Sequence, residues 1–126
     1  MKDIIKKFRF KDKGVVINAP KEIEAEFKKL GFGTSLGKRE KSTDTLVFIK
    51  DGKEYLDFLK KDLHCIEPDS VLWFAYPKGT SNVKTDINRD SIREIGERYG
   101  ITTVAAISID YTWSALRFRP IDKVGK

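Results

Sequence analysis

The chain has one histidine and one cysteine, and they are neighbours, His64-Cys65. Zinc sites draw three or four ligands from these types, so no zinc centre is expected. On an α-helix adjacent side chains diverge by about 100°, so a Cys–His nucleophile built from this pair is not expected either. A Ser-His-Asp triad would have to recruit His64, and no nucleophile-elbow sequence is present to meet it. Phosphate loops are missing too. The first strand-like run leaves into Asn18-Ala19-Pro20-Lys21-Glu22, where dinucleotide-binding folds need closely spaced glycines so that the backbone can approach a pyrophosphate. Gly31-Phe32-Gly33 has G-x-G spacing but follows a helix and lacks the third glycine, and there is no Walker loop. These residues predict no catalytic group, metal or cofactor, and they favour a binding domain over an enzyme.

The best candidate for binding is the segment from Tyr76 to Asp90. In open parallel sheets ligands lie outside the carboxyl ends of strands, and Tyr76-Pro77-Lys78-Gly79-Thr80-Ser81-Asn82 leaves the most apolar strand of the chain. It brings together a cation, hydroxyls and permissive backbone. Thr85-Asp86-Ile87-Asn88-Arg89-Asp90 then opens a helix, where free backbone amides would receive an anion beside Lys78 and Arg89. The alternative is that Thr85, Asp86 and Asn88 simply cap that helix. In Trp113-Ser114-Ala115-Leu116-Arg117-Phe118-Arg119, alternation sets Leu116 and Phe118 on one face and Trp113, Arg117 and Arg119 on the other. Trp113 would either stack on an arginine or flat ligand, or anchor a hairpin to the domain edge.

The elements that must position these residues follow from hydrophobic periodicity. Residues 14–18, 45–49 and 71–76 are continuous apolar runs, as expected of strands buried on both faces. Between them lie helical patterns. Ile23, Phe27 and Leu30 recur after Pro20 and stop at Gly31; Tyr55 or Leu56, Leu59, Leu63 and Ile66 share a second face, closed by Pro68-Asp69. A third helix is expected over about residues 89–99, capped by Asp86 or Asn88, with Ile92, Ile95 and Tyr99 inward and Gly100 as its stop. Residues 32–42 read as a weak edge strand or a mobile loop. Residues 103–109 and 113–119 are strands joined by a link too short for a crossover, so they must be antiparallel. The expected assembly is one domain over residues 1–126, an α/β Rossmann-like three-layer sandwich with a mostly parallel sheet and an antiparallel C-terminal hairpin.

Length and charge narrow the setting. With 126 residues, 40% hydrophobic and 35% charged, the chain suits a single core beneath a solvated surface. It lacks a membrane-length apolar run and a signal-peptide core, and its lone cysteine agrees with a reducing compartment, so a cytoplasmic location is expected. The net charge is +6. Residues 1–63 carry 16 Lys plus Arg against 11 Asp plus Glu, and residues 64–126 carry 9 against 8, so the excess is N-terminal. Lys interleaved with Glu marks solvated helix faces more often than a nucleic-acid footprint, which favours Arg and exposed aromatics on one surface.

The motifs Tyr76-Pro77-Lys78-Gly79-Thr80-Ser81, Thr85-Asp86-Ile87-Asn88-Arg89-Asp90, Ser108-Ile109-Asp110-Tyr111-Thr112-Trp113-Ser114-Ala115 and Leu116-Arg117-Phe118-Arg119-Pro120 together resemble the bacterial family known as domain of unknown function 3052. The resemblance covers about residues 71–120, with Asn18-Ala19-Pro20 fitting as well. It implies no activity, but it singles out Pro77, Lys78, Thr85, Asp86, Trp113 and Ser114, and adds Asn18 and Pro20 to the candidate ligand-binding set. The element order is also similar to a shortened class I methyltransferase, although the glycine-rich first loop is replaced and no acidic strand end is identifiable before Asp44 for a ribose. The expectation is a non-catalytic domain that engages an anionic small molecule or a protein partner. An S-adenosylmethionine-dependent methyltransferase and a nucleic-acid binder using the basic N-terminal half are the alternatives.

Overall fold

The structure, a computed structural model, describes residues 2–11, 14–37, 41–79 and 84–124. Five strands form one sheet: β1 (Val15–Ile17), β2 (Ser42–Phe48), β3 (Ile66–Pro77), β4 (Ile101–Ser108) and β5 (Trp113–Pro120), in the order β1-β2-β3-β5-β4. The α-helices are α1 (Lys2–Lys7), α2 (Lys21–Lys29), α3 (Gly52–Lys61) and α4 (Arg89–Glu97). No described helix is long and apolar enough to cross a membrane.

Alternation along the central strands divides the core in two. Leu46 and Phe48 of β2, with Val71, Trp73 and Ala75 of β3, face Phe8, Ile23 and Phe27 from the α1 and α2 side. Val47, Leu72 and Phe74 face the other way, onto Tyr55, Phe58 and Leu59 of α3 and Ile92 of α4. Both faces of β2 and β3 are therefore apolar, which is why these strands read as continuous hydrophobic runs. The starts of α2, α3 and α4 follow from the sequence. Pro20, with φ −54°, precedes α2; the Asp51 carboxylate accepts from Glu54 N at 2.9 Å to cap α3; Asn88 and Ser91 cap α4 reciprocally.

The architecture is not a Rossmann-like sandwich with a mostly parallel sheet. The β1–β2 and β2–β3 ladders are parallel, but β3–β5 and β5–β4 are antiparallel, so the sheet is evenly mixed. Among the described residues the strands slightly outweigh the α-helices, of which there are four. The reason is topological. Because β4 and β5 are joined by a short link, β5 turns back and takes the place beside β3 that a further parallel strand would occupy in a repeated βαβ array. β4 is pushed to the edge, where Val104, Ala105 and Ala106 stay exposed.

Two boundaries also move. α3 stops at Lys61, a 3-10 turn spans Leu63–Cys65, and Ile66 already belongs to β3. Pro68 and Asp69 thus lie inside a long strand; Asp69 has φ 57°, a left-handed kink. Gly33 makes only an isolated parallel bridge to Val15.

Candidate functional site

The carboxyl end of the sheet gathers several of the residues singled out by sequence, but most are engaged in holding the fold together. Lys78 Nζ donates to Ser108 Oγ at 2.5 Å, and Lys78 N to the Thr112 carbonyl oxygen at 2.8 Å, which ties the exit of β3 to the hairpin. The Asp86 carboxylate accepts from Gly52 N at 2.7 Å, so it caps α3 rather than α4. Thr85 Oγ1 accepts from Ile87 N at 3.3 Å in a local turn that buries Ile87. Trp113 stands edge-on to Phe48, with ring centroids 5.0 Å apart, and anchors the hairpin to the core. Pro77 is buried in β3 opposite Trp113, and Gly79 is exposed beyond it. Thr80 and Ser81 lie outside the described residues.

Tyr76, Ser114 and Arg89 do come together. Burial pushes the Tyr76 phenol above its usual range, opposed by the Arg89 charge and by a hydrogen bond with Ser114. Asn18 and Pro20 stand apart from this group at the end of β1. Asn18 adopts φ 60°, a left-handed conformation that Asn tolerates better than most residues. It lines a cleft of about 320 Å³ with Lys50, Asp51, Lys53, Glu54 and Asp57. This crevice occupies a favoured position for ligands, because α2 after β1 and α3 after β2 lie on opposite faces of the sheet. Its described lining residues, however, include three lysines and four carboxylates, a mixture that compensates itself and selects no ligand charge.

A third recess, of about 220 Å³, is lined by apolar residues such as Leu63, Ile66 and Phe118, with Asp69 and Arg119 engaging each other beside it. His64 and Cys65 also differ from expectation. On the exposed 3-10 turn, Cys65 Sγ and His64 Nε2 approach to 3.6 Å, because neither is locked into the divergent directions of an α-helix.

Among the described residues, a concentration of like charge lies elsewhere. A cleft of about 510 Å³ opens between the end of α1 and the hairpin, lined by Lys6, Lys7, Arg9, Trp73, Ala105, Ile107 and Arg117. Four of these are cations, and no carboxylate is among the described lining residues. The nearby Asp69 carboxylate is held below its usual range chiefly by a hydrogen bond from Arg119, with Arg117 contributing at longer range. Arg117 Nε is buried and has no hydrogen-bond partner among the described residues. Arg9, two residues past the end of α1, has φ 57°, a position where helices usually place glycine. An arginine there costs on the order of 1–2 kcal/mol of backbone strain, and its side chain lines the cleft.

The cleft is built by the packing beneath it. The Trp73 indole N–H donates to the Phe8 carbonyl oxygen at 2.9 Å, Phe8 packs edge-on to Trp73 at 5.4 Å, and Phe10 stacks on Phe8 at 5.4 Å. These contacts dock α1 over β3, with Lys6, Lys7 and Arg9 beside Arg117. Strand alternation sets Arg117 on this face and composition puts the excess charge in the N-terminal half, but nothing local in the sequence joins the two. The available signal was Lys6-Lys7-Phe8-Arg9-Phe10-Lys11, where cations alternate with aromatics that need burial.

Comparisons with family models, with curated proteins and with solved structures found no match to this chain.

Proposed function

We propose that this chain is a non-catalytic anion-binding domain whose binding site is the cleft between α1 and the β4–β5 hairpin. The observation that carries the reading is the convergence of Lys6, Lys7, Arg9 and Arg117 on one recess with no carboxylate among its described lining residues. Gathering four like charges is unfavourable in the free protein, and a bound anion relieves the repulsion. The anionic ligand expected from sequence is retained, while its location shifts from the carboxyl end of the sheet to the α1 side. A cytoplasmic setting, rich in phosphate-bearing molecules, suits the charge of +6 and the lone thiol.

Thermal melting with increasing pyrophosphate tests the reading. The native protein should rise in Tm, and the double variant Lys6→Gln/Lys7→Gln, which changes only exposed side chains, should lose most of the rise while folding normally. An equal rise in both proteins would remove the cleft as the site.

A further inference from the structure

We infer that the anion held by this cleft is the backbone of a single-stranded nucleic acid; the inference rests on the anion-binding reading above and adds the class of ligand. The first ground is shape. Duplex readers present a projecting helix or β-ribbon to a groove, whereas here the cations line a recess, and α1, with six residues, flanks it rather than protruding. An open basic recess fits one flexible strand. The second ground is the floor. Ala105, Ile107 and Trp73 line the same recess as the cations, so apolar surface accompanies the charges. Nucleic-acid single strands have this amphipathic pattern, phosphates on one side and flat apolar base faces on the other, and proteins that bind them pair a basic groove with such platforms. Inorganic polyphosphate has nothing to place on that floor.

The third ground is Tyr111. It is 80% exposed at the tip of the same hairpin, an unusual position for a large aromatic ring. Ile107 and Tyr111 are four residues apart and the chain begins to reverse after β4 ends at Ser108, so their backbones lie at most about 14 Å apart, within the span of two or three nucleotides. A base stacked on Tyr111 would extend the contact beyond the cleft.

Fluorescence anisotropy with a labelled single-stranded oligonucleotide, the matching duplex and inorganic polyphosphate as competitor tests this. With four phosphate contacts, affinity for the single strand should fall about 50-fold for a fourfold rise in salt, and Arg9→Gly should lower the salt slope by about 0.7. Tyr111→Ala should weaken single-strand binding severalfold and leave the salt slope and the pyrophosphate response unchanged. The duplex should bind at least about tenfold more weakly. Equal or tighter duplex binding, or equal competition by polyphosphate per charge, would overturn the single-strand assignment while leaving the anion site standing. Failure of all three polyanions to bind would overturn both.

Discussion

The Trp73 indole N–H donates to the Phe8 carbonyl oxygen across 65 positions of sequence, at 2.9 Å, and both residues are buried. This bond ties the end of α1 to the central strand. Trp73→Phe would leave the carbonyl oxygen without its partner and open space beneath it. The expected cost is about 1–3 kcal/mol of stability, with faster hydrogen exchange in α1 and weaker anion binding, since three of the four cleft cations lie on or just after α1. Urea melts and exchange mass spectrometry would read the first two. Unchanged exchange in α1 would show that other contacts dock it.

Arg9 offers a separation of stability from function. Glycine adopts φ 57° without the clash that arginine suffers. Arg9→Gly should therefore raise stability by up to about 1 kcal/mol in denaturant melts and weaken binding of pyrophosphate. A variant that loses stability would indicate that the arginine side chain holds α1 in place.

Capping and ligand binding at Asp86 can be told apart. Its carboxylate accepts from Gly52 N at 2.7 Å, so Asp86→Ala should cost about 1 kcal/mol through the exposed N-terminus of α3. Pyrophosphate titration of the variant should match the native protein. A large loss of binding with little loss of stability would return the site to the carboxyl end of the sheet.

Gly96 is fixed by packing. A Cβ there would lie 2.8 Å from Phe118 Cε2 and 2.9 Å from the Tyr55 hydroxyl oxygen, and the Tyr55 hydroxyl donates to the Ile92 carbonyl oxygen at 2.8 Å. Alanine would gain roughly 1 kcal/mol in helix propensity. Overpacking against two buried rings outweighs this, so Gly96→Ala should be destabilising by about 1–2 kcal/mol net. Adding Tyr55→Phe removes one of the two clashes, and the double variant should lose less than the sum of the single changes.

The Asp69–Arg119 pair predicts an acid response. Arg119 donates to both Asp69 oxygens, at 2.8 and 3.1 Å, and holds the carboxyl below its ordinary 3.8. A depressed pKa in the folded state adds stability above the unfolded value and loses it as pH falls through the folded one. The native protein should therefore lose more stability than Asp69→Asn as pH drops below 3.8. Parallel acid dependence in the two proteins would show that water already screens the pair.

Much of the local structure was legible in the sequence, because the groups that specify it are close together along the chain. Asn88 and Ser91 cap α4 over three residues, and Gly31, at φ 91°, follows α2 as the helix stop that its sequence position predicts. Leu46 and Phe48 alternate with Val47 and Ile49 between the two core faces. The tight hairpin link required β4 and β5 to be antiparallel.

Tertiary structure alone decided the rest. Nothing local tells β5 to pair with β3, yet that choice makes the sheet evenly mixed and leaves the middle of β4 exposed. Likewise, Asp86 is near the start of α4 in sequence but near the start of α3 in space. The cleft is the clearest case. Composition established that the chain carries excess positive charge, mostly in its first half, but a net charge has no direction. Lys6, Lys7 and Arg9 meet Arg117, more than a hundred residues away, because Phe8 and Trp73 bury each other, and that packing energy is set only when the sheet has formed.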